Sequence, residues 1–246
     1  MYVIGDIGNT ETKICLFNNK KKLLKKRIFN SSNMINANLN KNFKFIGPYN
    51  KNIKKVIFSS VVPEVFKNIK TCIKKKFRLE VKELKQHNLK KILKIDVNKK
   101  QVGSDRLANA ISVINNKDNF IILDFGTATT FDVVKKPGIY DGGVIAPGIN
   151  LSIINLSRST ALLPKFNLKS GAKGYGKNTK DALNAGFLWG YKGLINNIIK
   201  KIISTSNLNY KVILTGGYSR LFKKHISKKS IIDNNVTIKG IIKVYK

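Results

Sequence analysis

An acidic residue followed by a glycine turn occurs twice in the chain, each time directly after an apolar run. The first copy, YVIGDIGNTETKICLF, has its acid at Asp6; the second, IILDFGTATTFDVV, has its acid at Asp124, 118 residues further along a chain of 246. Each copy reads as a strand, a tight turn and a second strand that returns antiparallel. One Asp-x-Gly turn is common in β-hairpins, but two copies half a chain apart predict a duplicated α/β unit.

Hydroxyl side chains follow both turns directly, and this detail favours a binding role over a plain β-turn. Glycine lets the backbone N–H groups approach an anion closely, and the hydroxyl groups add further hydrogen-bond donors. We therefore expect two lobes, residues 1–117 and 118–246, that bind the phosphates of one nucleotide in a cleft between them.

The rest of the first half predicts further strands and two helices. KKKLLKKRIF is typical of a third hairpin strand, and KKVIFSSVV of a buried strand that ends before a helix opened by Pro63. A second helix is predicted to begin at SDRLAN, with Ser104 and Asp105 as N-cap residues.

The second half predicts a helix in LSIINLSRSTALL and a long helix from Thr179 to about Ser204. After these, YKVILTGGYSRLF reads as a buried strand that breaks at Gly216 and Gly217 and turns into a helix.

The formal net charge of +34, from 47 basic and 13 acidic residues, is compatible with nucleic-acid binding through counterion release. However, arginine is the side chain that favours base readout and bidentate phosphate contacts. The arginines are few: Arg27, Arg78, Arg106, Arg158 and Arg220. Because the lysines are spread along the whole chain, we interpret the charge as compositional and expect no nucleic-acid partner. The scarcity of acids makes those in glycine-rich turns informative.

The sequence contains no apolar run of the roughly 18–20 residues that span a bilayer. Cys15 and Cys72 form neither a disulfide framework nor a metal-binding pattern. We therefore expect a cytoplasmic protein without a membrane segment.

The order of further motifs completes a family pattern. The motifs follow one another from the first strand to the last in the order DIGNT, SSVVPEV, GSDRLAN, DFGTATTFD, YDGGVIAPG, NTKDALNAGFLWG and LTGGYSRL. This order resembles type III pantothenate kinase, a family of the acetate and sugar kinase/Hsc70/actin superfamily. The resemblance implies an α/β fold of two duplicated ribonuclease-H-like (actin-like ATPase) lobes with a central nucleotide cleft. It also implies ATP-dependent phosphorylation of pantothenate to 4′-phosphopantothenate, the first step of coenzyme A biosynthesis, by a homodimer.

The resemblance assigns the first turn to the ATP phosphates. The residues that it implies are Asp6, Ile7, Gly8, Asn9, Thr10, Glu11, Thr12 and Lys13. Asn9, Thr10 and Thr12 can donate hydrogen bonds, and Lys13 can add positive charge. A carboxylate beside a triphosphate would be repelled, so Asp6 is expected to hold Mg²⁺, through water.

Asp105 is implied as the general base that accepts the proton of the pantothenate hydroxyl. The implied pantothenate contacts are Gly103, Ser104, Asp105, Arg106 and Thr179. Helix capping is the alternative explanation for Ser104 and Thr179, and the sequence leaves it open. In the second turn, the resemblance implies that Asp124 binds a monovalent cation, K⁺ or NH₄⁺, and that Thr127 contacts ATP.

Several residues stay without a firm role. Asp132 is either functional or a surface acid at a strand end, and Asp141 is undecided. His87 and His225 lie in lysine-rich stretches and are expected to be exposed. The aromatic residues Phe187, Trp189 and Tyr191 on the long helix are interpreted as core or subunit-interface residues.

One segment departs from the family pattern. Family members usually carry a tyrosine that touches pantothenate, and a proline, shortly before the GSDR segment. Here Asp96 and Lys99 stand at about those positions. We therefore expect weaker pantothenate binding, with the phosphoryl-transfer residues unaffected.

Two other functions are compatible with this scaffold. A regulatory or nucleic-acid-binding protein would suit the charge, but the retention of Asp6, Asp105 and Asp124 argues against a catalytically inactive binder. A sugar or acetate kinase is disfavoured because 246 residues leave little room for the insertions that build those substrate domains.

Overall fold

The computed structural model describes residues 1–35, 39–172 and 174–245. The chain divides into two compact units. Unit 1 comprises Met1–Ile114, Gly138–Tyr140 and Asn235–Lys246, and unit 2 comprises Asn115–Pro137 and Asp141–Asn234. The predicted lobe limits, 1–117 and 118–246, stay a prediction.

Each half of the chain begins with three successive strands, and helices and further strands follow. The strands are β1 (Tyr2–Ile7), β2 (Glu11–Phe17), β3 (Leu23–Asn30), β4 (Lys55–Ser60), β5 (Val81–Glu83), β6 (Lys94–Ile95), β7 (Asn119–Phe125), β8 (Ala128–Lys135), β9 (Ile139–Pro147), β10 (Tyr210–Gly216) and β11 (Ser230–Ile232). The α-helices are α1 (Pro63–Phe77), α2 (Ser104–Val113), α3 (Ile149–Arg158), α4 (Thr179–Ser206), α5 (Ser219–Phe222) and α6 (Val236–Lys243). Short 3₁₀ helices span Ser32–Met34, Lys44–Asn52, Leu84–Gln86, Leu89–Lys91 and Lys223–His225.

Unit 1 is built on a sheet with the strand order β3-β2-β1-β4-β5. β1, β2 and β3 form two successive antiparallel pairs. β4 then pairs parallel with β1, and β5 parallel with β4. The predicted first hairpin and its third strand are thus confirmed.

Unit 2 repeats this order with its own strands. β7 and β8 form an antiparallel pair, and β9 lies next to β8 in the sheet. On the other side of β7, β10 pairs parallel with β7, and β11 pairs parallel with β10. The order β9-β8-β7-β10-β11 therefore corresponds to β3-β2-β1-β4-β5. The first two residues of β9 belong to unit 1, where they pair with β6. The predicted α/β fold with a duplicated unit is confirmed.

Helix α1 shows how the sequence pattern produces the core of unit 1. Pro63 stands at the first helical turn, where its missing N–H costs nothing. Four apolar side chains then recur at helical spacing and are buried: Val65, Ile69, Ile73 and Phe77. In unit 2, α4 buries Leu188, Tyr191, Ile195 and Ile199 in the same way. Both predicted helix starts, at Pro63 and at Thr179, are confirmed.

Two expectations about local structure are wrong, and one open alternative is decided. Helix α3 ends at Arg158 rather than extending to residue 163, because the Thr160 hydroxyl donates to the Leu156 carbonyl at 2.7 Å and occupies an acceptor of the next turn. Of the two alternatives left open for Asp132, the surface acid is excluded, because Asp132 is fully buried within β8. His87 and His225 are partly buried rather than exposed, since each ring lies beside an aromatic side chain.

The closing segment of the chain forms α6, which packs against α2 within unit 1. The Thr237 hydroxyl donates to the Asn109 side-chain oxygen at 2.8 Å, and both residues are buried. At the crossing point, Gly240 lies directly on the carbonyl group of Ala108, where a Cβ atom would collide with backbone. The last turns of the chain thus hold the helix that begins at Ser104.

Within residues 1–35, 39–172 and 174–245, no helix has both the length and the apolar character needed to cross a membrane.

The contact between α2 and α6 yields a stability prediction. Alanine in place of a helical glycine ordinarily stabilises a helix by up to ~1 kcal/mol. For Gly240→Ala we expect the opposite sign, a loss of about 1–3 kcal/mol, because the new methyl group must push α6 away from the Ala108 backbone. Gly193→Ala in α4, with no atom within 4 Å of the new Cβ, is the matched control and should be neutral or stabilising. Urea unfolding of both variants measures the difference; equal effects would contradict the prediction.

Candidate active site

The first predicted turn connects β1 and β2 in unit 1 and is closed by its own backbone. The N–H group of Gly8 donates to the Glu11 carbonyl at 3.0 Å. Asp6, at the end of β1, is almost completely buried and lies opposite Lys13 in the strand register. Asn9, Thr10 and Glu11 are exposed at the tip of the turn. The exposed tip and the buried acid are thus separated by only a few residues.

Two residues of the predicted phosphate-binding stretch point their side chains into the protein. Ile7 is fully buried in the unit 1 core. Thr12 is also fully buried, and its hydroxyl lies 2.9 Å from that of Ser31. Any contact of Ile7 with a nucleotide would therefore have to use its backbone.

The GSDR segment begins α2, but its capping differs from the prediction. Gly103 is the N-cap residue and Ser104 is the first helical residue, with no side-chain cap. The Ser104 hydroxyl instead donates to the carboxylate of Glu83, at the end of β5. The prediction that Ser104 and Asp105 cap the helix is wrong, because the Ser104 side chain is turned toward Glu83, to which its hydroxyl donates, and accepts no N–H group of the first turn.

Asp105 has an unusual environment for a carboxylate. Its side chain folds back over Gly103, so that a Cβ atom at position 103 would collide with the carboxylate oxygen Oδ1. The same oxygen accepts the Arg106 N–H at 2.8 Å. Burial raises the pKa of Asp105 above its ordinary value, and the Arg106 N–H and guanidinium charge oppose this shift without cancelling it. A raised pKa is the condition that suits a carboxylate to proton transfer.

Val61 connects the first turn with Asp105 inside unit 1. Its N–H group donates to the Ile7 carbonyl at 3.0 Å. Its side chain lies 3.5 Å from the Cβ position of Gly103, the residue over which Asp105 folds. The SSVV motif therefore brings the first turn and the start of α2 into one region of the same unit.

Arg106 and Asp96, two further charged residues of unit 1, each have a partner within the same unit. The Arg106 guanidinium lies 6.0 Å from the centre of the buried Tyr140 ring. Asp96, at about the position where the family usually has tyrosine, forms an exposed ion pair with Lys94 at 3.0 Å. Such exposed pairs contribute little to stability.

The second predicted turn has its own arrangement in unit 2. Asp124 lies near the end of β7, next to β10, where Gly216 has a positive φ of 84°. A Cβ atom at position 216 would lie 2.5 Å from the Phe125 carbonyl and 2.7 Å from the Asp124 carboxylate. Gly216 thus packs directly against the Phe125 carbonyl and the Asp124 carboxylate, and any side chain at this position would collide with both. Thr127 is exposed in the turn itself.

Thr179 is the first residue of α4 rather than its cap. Asn178 is the N-cap, and its side-chain oxygen accepts the Asp181 N–H at 3.0 Å. This excludes capping as the explanation for Thr179. The residue instead lines a mainly apolar cavity of about 670 Å³ between α3 and α4, together with Ser152, Leu156 and Tyr191.

Sequence reasoning missed two polar residues that hold the predicted site residues. Glu83 binds Ser104, and Ser31 binds the first turn. Only 13 acids occur in the chain, so the scarcity that drew attention to Asp6 and Asp124 applied equally to Glu83. No sequence signal distinguishes Ser31 from other serines.

Comparison with known proteins identifies the family of the chain. The family model of type III pantothenate kinase matches residues 2–201. A type III pantothenate kinase of Pelagibacter ubique is 51% identical over 243 residues, covering 99% of this chain and 98% of the relative. That of Sulfurihydrogenibium sp. is 35% identical and covers 98% of both chains.

Solved structures of distant proteins share the fold. A putative Baf family transcriptional activator from Campylobacter jejuni superposes with a TM-score of 0.64 at 20% identity, covering 98% of this chain and 96% of that one. A putative 2-dehydro-3-deoxygalactonokinase from Sinorhizobium meliloti gives 0.62 at 10% identity, with coverage of 99% and 98%. At these identities the likeness supports the fold class alone. The family inferred from the motif order is confirmed by the family model and the closely similar sequences: the chain belongs to the type III pantothenate kinase family.

Proposed function

We propose that the chain transfers the terminal phosphoryl group of ATP to the primary hydroxyl of pantothenate, the first step of coenzyme A biosynthesis. Family membership supports the reaction. The observation that carries the assignment of residues is the contact of Val61 with both Ile7 and the Gly103 position, because it puts the first turn and Asp105 in one region of unit 1. Phosphoryl transfer depends mainly on such positioning of phosphates and nucleophile.

Asp105 is the general base in this proposal. The pantothenate hydroxyl oxygen forms the new bond to the terminal phosphorus, the bond to the ADP oxygen breaks, and the hydroxyl proton moves to the Asp105 carboxylate. Burial raises the pKa of this carboxylate, which makes it a stronger base than an exposed aspartate. The Arg106 N–H holds oxygen Oδ1 in place at 2.8 Å.

The first turn binds ATP phosphates in this proposal, through Asn9 and Thr10 at its tip and the charge of Lys13, while Gly8 has no side chain to obstruct the approach of the phosphates. Asp6 suits Mg²⁺, since its buried carboxylate offers the hard oxygen ligand that this ion prefers, and Mg²⁺ usually uses one or two carboxylates besides the phosphates. The bound ion would neutralise phosphate charge.

In unit 2, Asp124 suits a monovalent cation, K⁺ or NH₄⁺, with Thr127 as a further contact to ATP. The support is that the Asp124 carboxylate and the Phe125 carbonyl lie beside the same point of β10, within 2.7 Å of the Cβ position of Gly216, and a hard monovalent ion takes oxygen ligands of these two kinds. Such an ion would place a positive charge beside the Asp124 carboxylate.

Pantothenate is assigned to Gly103, Ser104, Asp105 and Arg106 in unit 1 and to Thr179 in unit 2. The guanidinium of Arg106 suits the carboxylate of pantothenate, because it can donate two parallel hydrogen bonds.

We also propose a cytoplasmic homodimer. Exposed apolar side chains of unit 2 support the dimer, since exposed apolar surface usually marks a contact face. These include Ile145, which is 64% exposed, Leu151 in α3, and Trp189 in α4, which is 45% exposed.

The first prediction concerns the base. Asp105→Asn should lower kcat by about 10²–10⁴-fold, because the amide cannot accept the proton. A coupled assay with pantothenate, ATP and Mg²⁺ measures this. On acidification, the wild-type rate should fall with a midpoint at a higher pH than the ordinary aspartate pKa, since burial raises the pKa of Asp105. A variant that keeps most of its turnover would exclude Asp105 as the base.

The same substitution should stabilise the protein at neutral pH. A buried acid with a raised pKa stabilises the fold while it is protonated, and this contribution is lost as the pH rises through its folded-state pKa. The neutral amide of the variant has no such loss, so the Tm of Asp105→Asn should exceed that of the wild type at pH 7. The difference should disappear at low pH, where both side chains are neutral. A lower Tm at pH 7 would contradict the pKa direction.

Gly103→Ala should displace the Asp105 carboxylate without unfolding the protein. The colliding atom is the end of a side chain that can rotate away, so we expect a stability loss below ~1 kcal/mol. Misplacing a catalytic group by about 1 Å can cost on the order of 10²-fold in rate, and we expect a fall in kcat of about 10- to 100-fold. Gly47→Ala, with open space around its Cβ, is the control and should keep its turnover.

Removal of the monovalent cation tests the role of Asp124. Wild-type turnover should rise several-fold when K⁺ or NH₄⁺ replaces a large organic cation, and Asp124→Asn should remove this response. Asp141→Asn is a matched control in the same unit, because Asp141 is engaged by Lys135 at 2.7 Å. A cation response that survives in Asp124→Asn would place the ion elsewhere.

A further inference from the structure

Ser31 lies just beyond β3 and binds the first turn, residues 8–12, at three points. Its hydroxyl donates to the Gly8 carbonyl at 2.6 Å. Its N–H group donates to the Thr10 carbonyl at 2.9 Å. Its hydroxyl oxygen also lies 2.9 Å from the hydroxyl of Thr12. Ser31 is only 2% exposed, and its contact with the fully buried Thr12 is shielded from water.

The single proton of the Ser31 hydroxyl fixes the direction of the hydrogen bond to Thr12. A carbonyl can only accept, so the Ser31 proton is used by Gly8. Thr12 must therefore be the donor in the bond to Ser31. Since Thr12 is 0% exposed and its proton points to Ser31, its hydroxyl is directed into the protein rather than toward a ligand.

The same contacts control the orientation of the backbone in the turn. A carbonyl oxygen directed at a phosphate would repel it, so an anion-binding turn must keep its carbonyls engaged elsewhere. Ser31 engages the carbonyls of Gly8 and Thr10, and the Gly8 N–H engages that of Glu11. Ser31 thus accounts for two of the three internal bonds that fix this orientation.

We propose that Ser31 and Thr12 form a positioning pair for the phosphate-binding turn, and that Thr12 acts on the nucleotide only through Ser31. The inference rests on the proposed binding of ATP phosphates by this turn. It assigns Thr12, a residue within the phosphate-binding stretch, an indirect role, and it adds Ser31, which lies 19 residues further along the chain.

A double-mutant cycle tests the pair. Thr12→Val removes the donor with little change in shape, and Ser31→Ala removes the shared hydroxyl. We expect each single substitution to weaken binding of Mg²⁺-ATP, measured by titration calorimetry without pantothenate, by about three- to tenfold. The double variant should bind no more weakly than Ser31→Ala alone. Thr12→Ser keeps the donor and should bind nearly as the wild type does.

A control in the same unit separates positioning from stability. Thr237→Val removes a buried hydrogen bond of the same kind, between Thr237 and Asn109. It should lower Tm to a similar extent and leave ATP affinity unchanged. In the Ser31 and Thr12 variants, the KM for pantothenate should change less than twofold.

If Ser31→Ala does not fold, Ser31→Cys, which keeps only a weak donor, takes its place in the cycle.

The outcomes distinguish the competing explanations. If the fold-changes of the two single variants multiply in the double variant, Thr12 contacts the phosphates directly and the inference is overturned. If Tm falls but ATP affinity does not, the pair is merely structural, which also overturns it. Failure of the proposed function would look different: the wild type would bind ATP but show no turnover with pantothenate.

Discussion

The burial of one strand in each sheet is the constraint on which both turns depend. β1 and β7 have neighbours on both sides, and nearly all their residues are buried. A charged group within such a strand loses its hydration, and this cost must be offset by a partner. Asp6 and Asp124 each occupy the next-to-last position of their strand, beside the turn. The two acidic turns follow from the same rule applied to the same strand order in each unit.

Residues outside the recognisable motifs hold the motif residues in place. Ser31 fixes the carbonyls of the first turn, and Glu83 binds the hydroxyl of Ser104, directly before Asp105. Glu83 also accepts the Lys85 N–H and belongs to a reciprocal capping pair with Gln86. Buried polar groups need partners wherever the fold provides them. The motif thus supplies the groups that face a ligand, and the neighbouring strand ends supply the groups that orient them.

The sequence predicted what depends on local patterns and missed what depends on contacts between distant segments. The hairpins, the helix start at Pro63 and the long helix from Thr179 follow from periodicity and turn residues. The cap of α2 was wrong because Glu83, 21 residues away, binds Ser104. Asp132 lies in β8 beside apolar strand residues, and periodicity alone does not reveal which strand positions are fully covered. Ser31 could not be found because its role depends entirely on where β3 ends.

The positive charge of the chain and the local surroundings of a carboxylate have opposite effects on its pKa. With a net charge of +34, a uniform positive field would lower the pKa of every carboxylate. The pKa of Asp105 is nevertheless raised, because burial outweighs the nearby Arg106 and Lys85. Most lysines are exposed, and at physiological salt the influence of exposed charges fades beyond about 8 Å. The direction of the Asp105 pKa shift is therefore set by its burial at the start of α2, and exposed lysines beyond that distance contribute little to it.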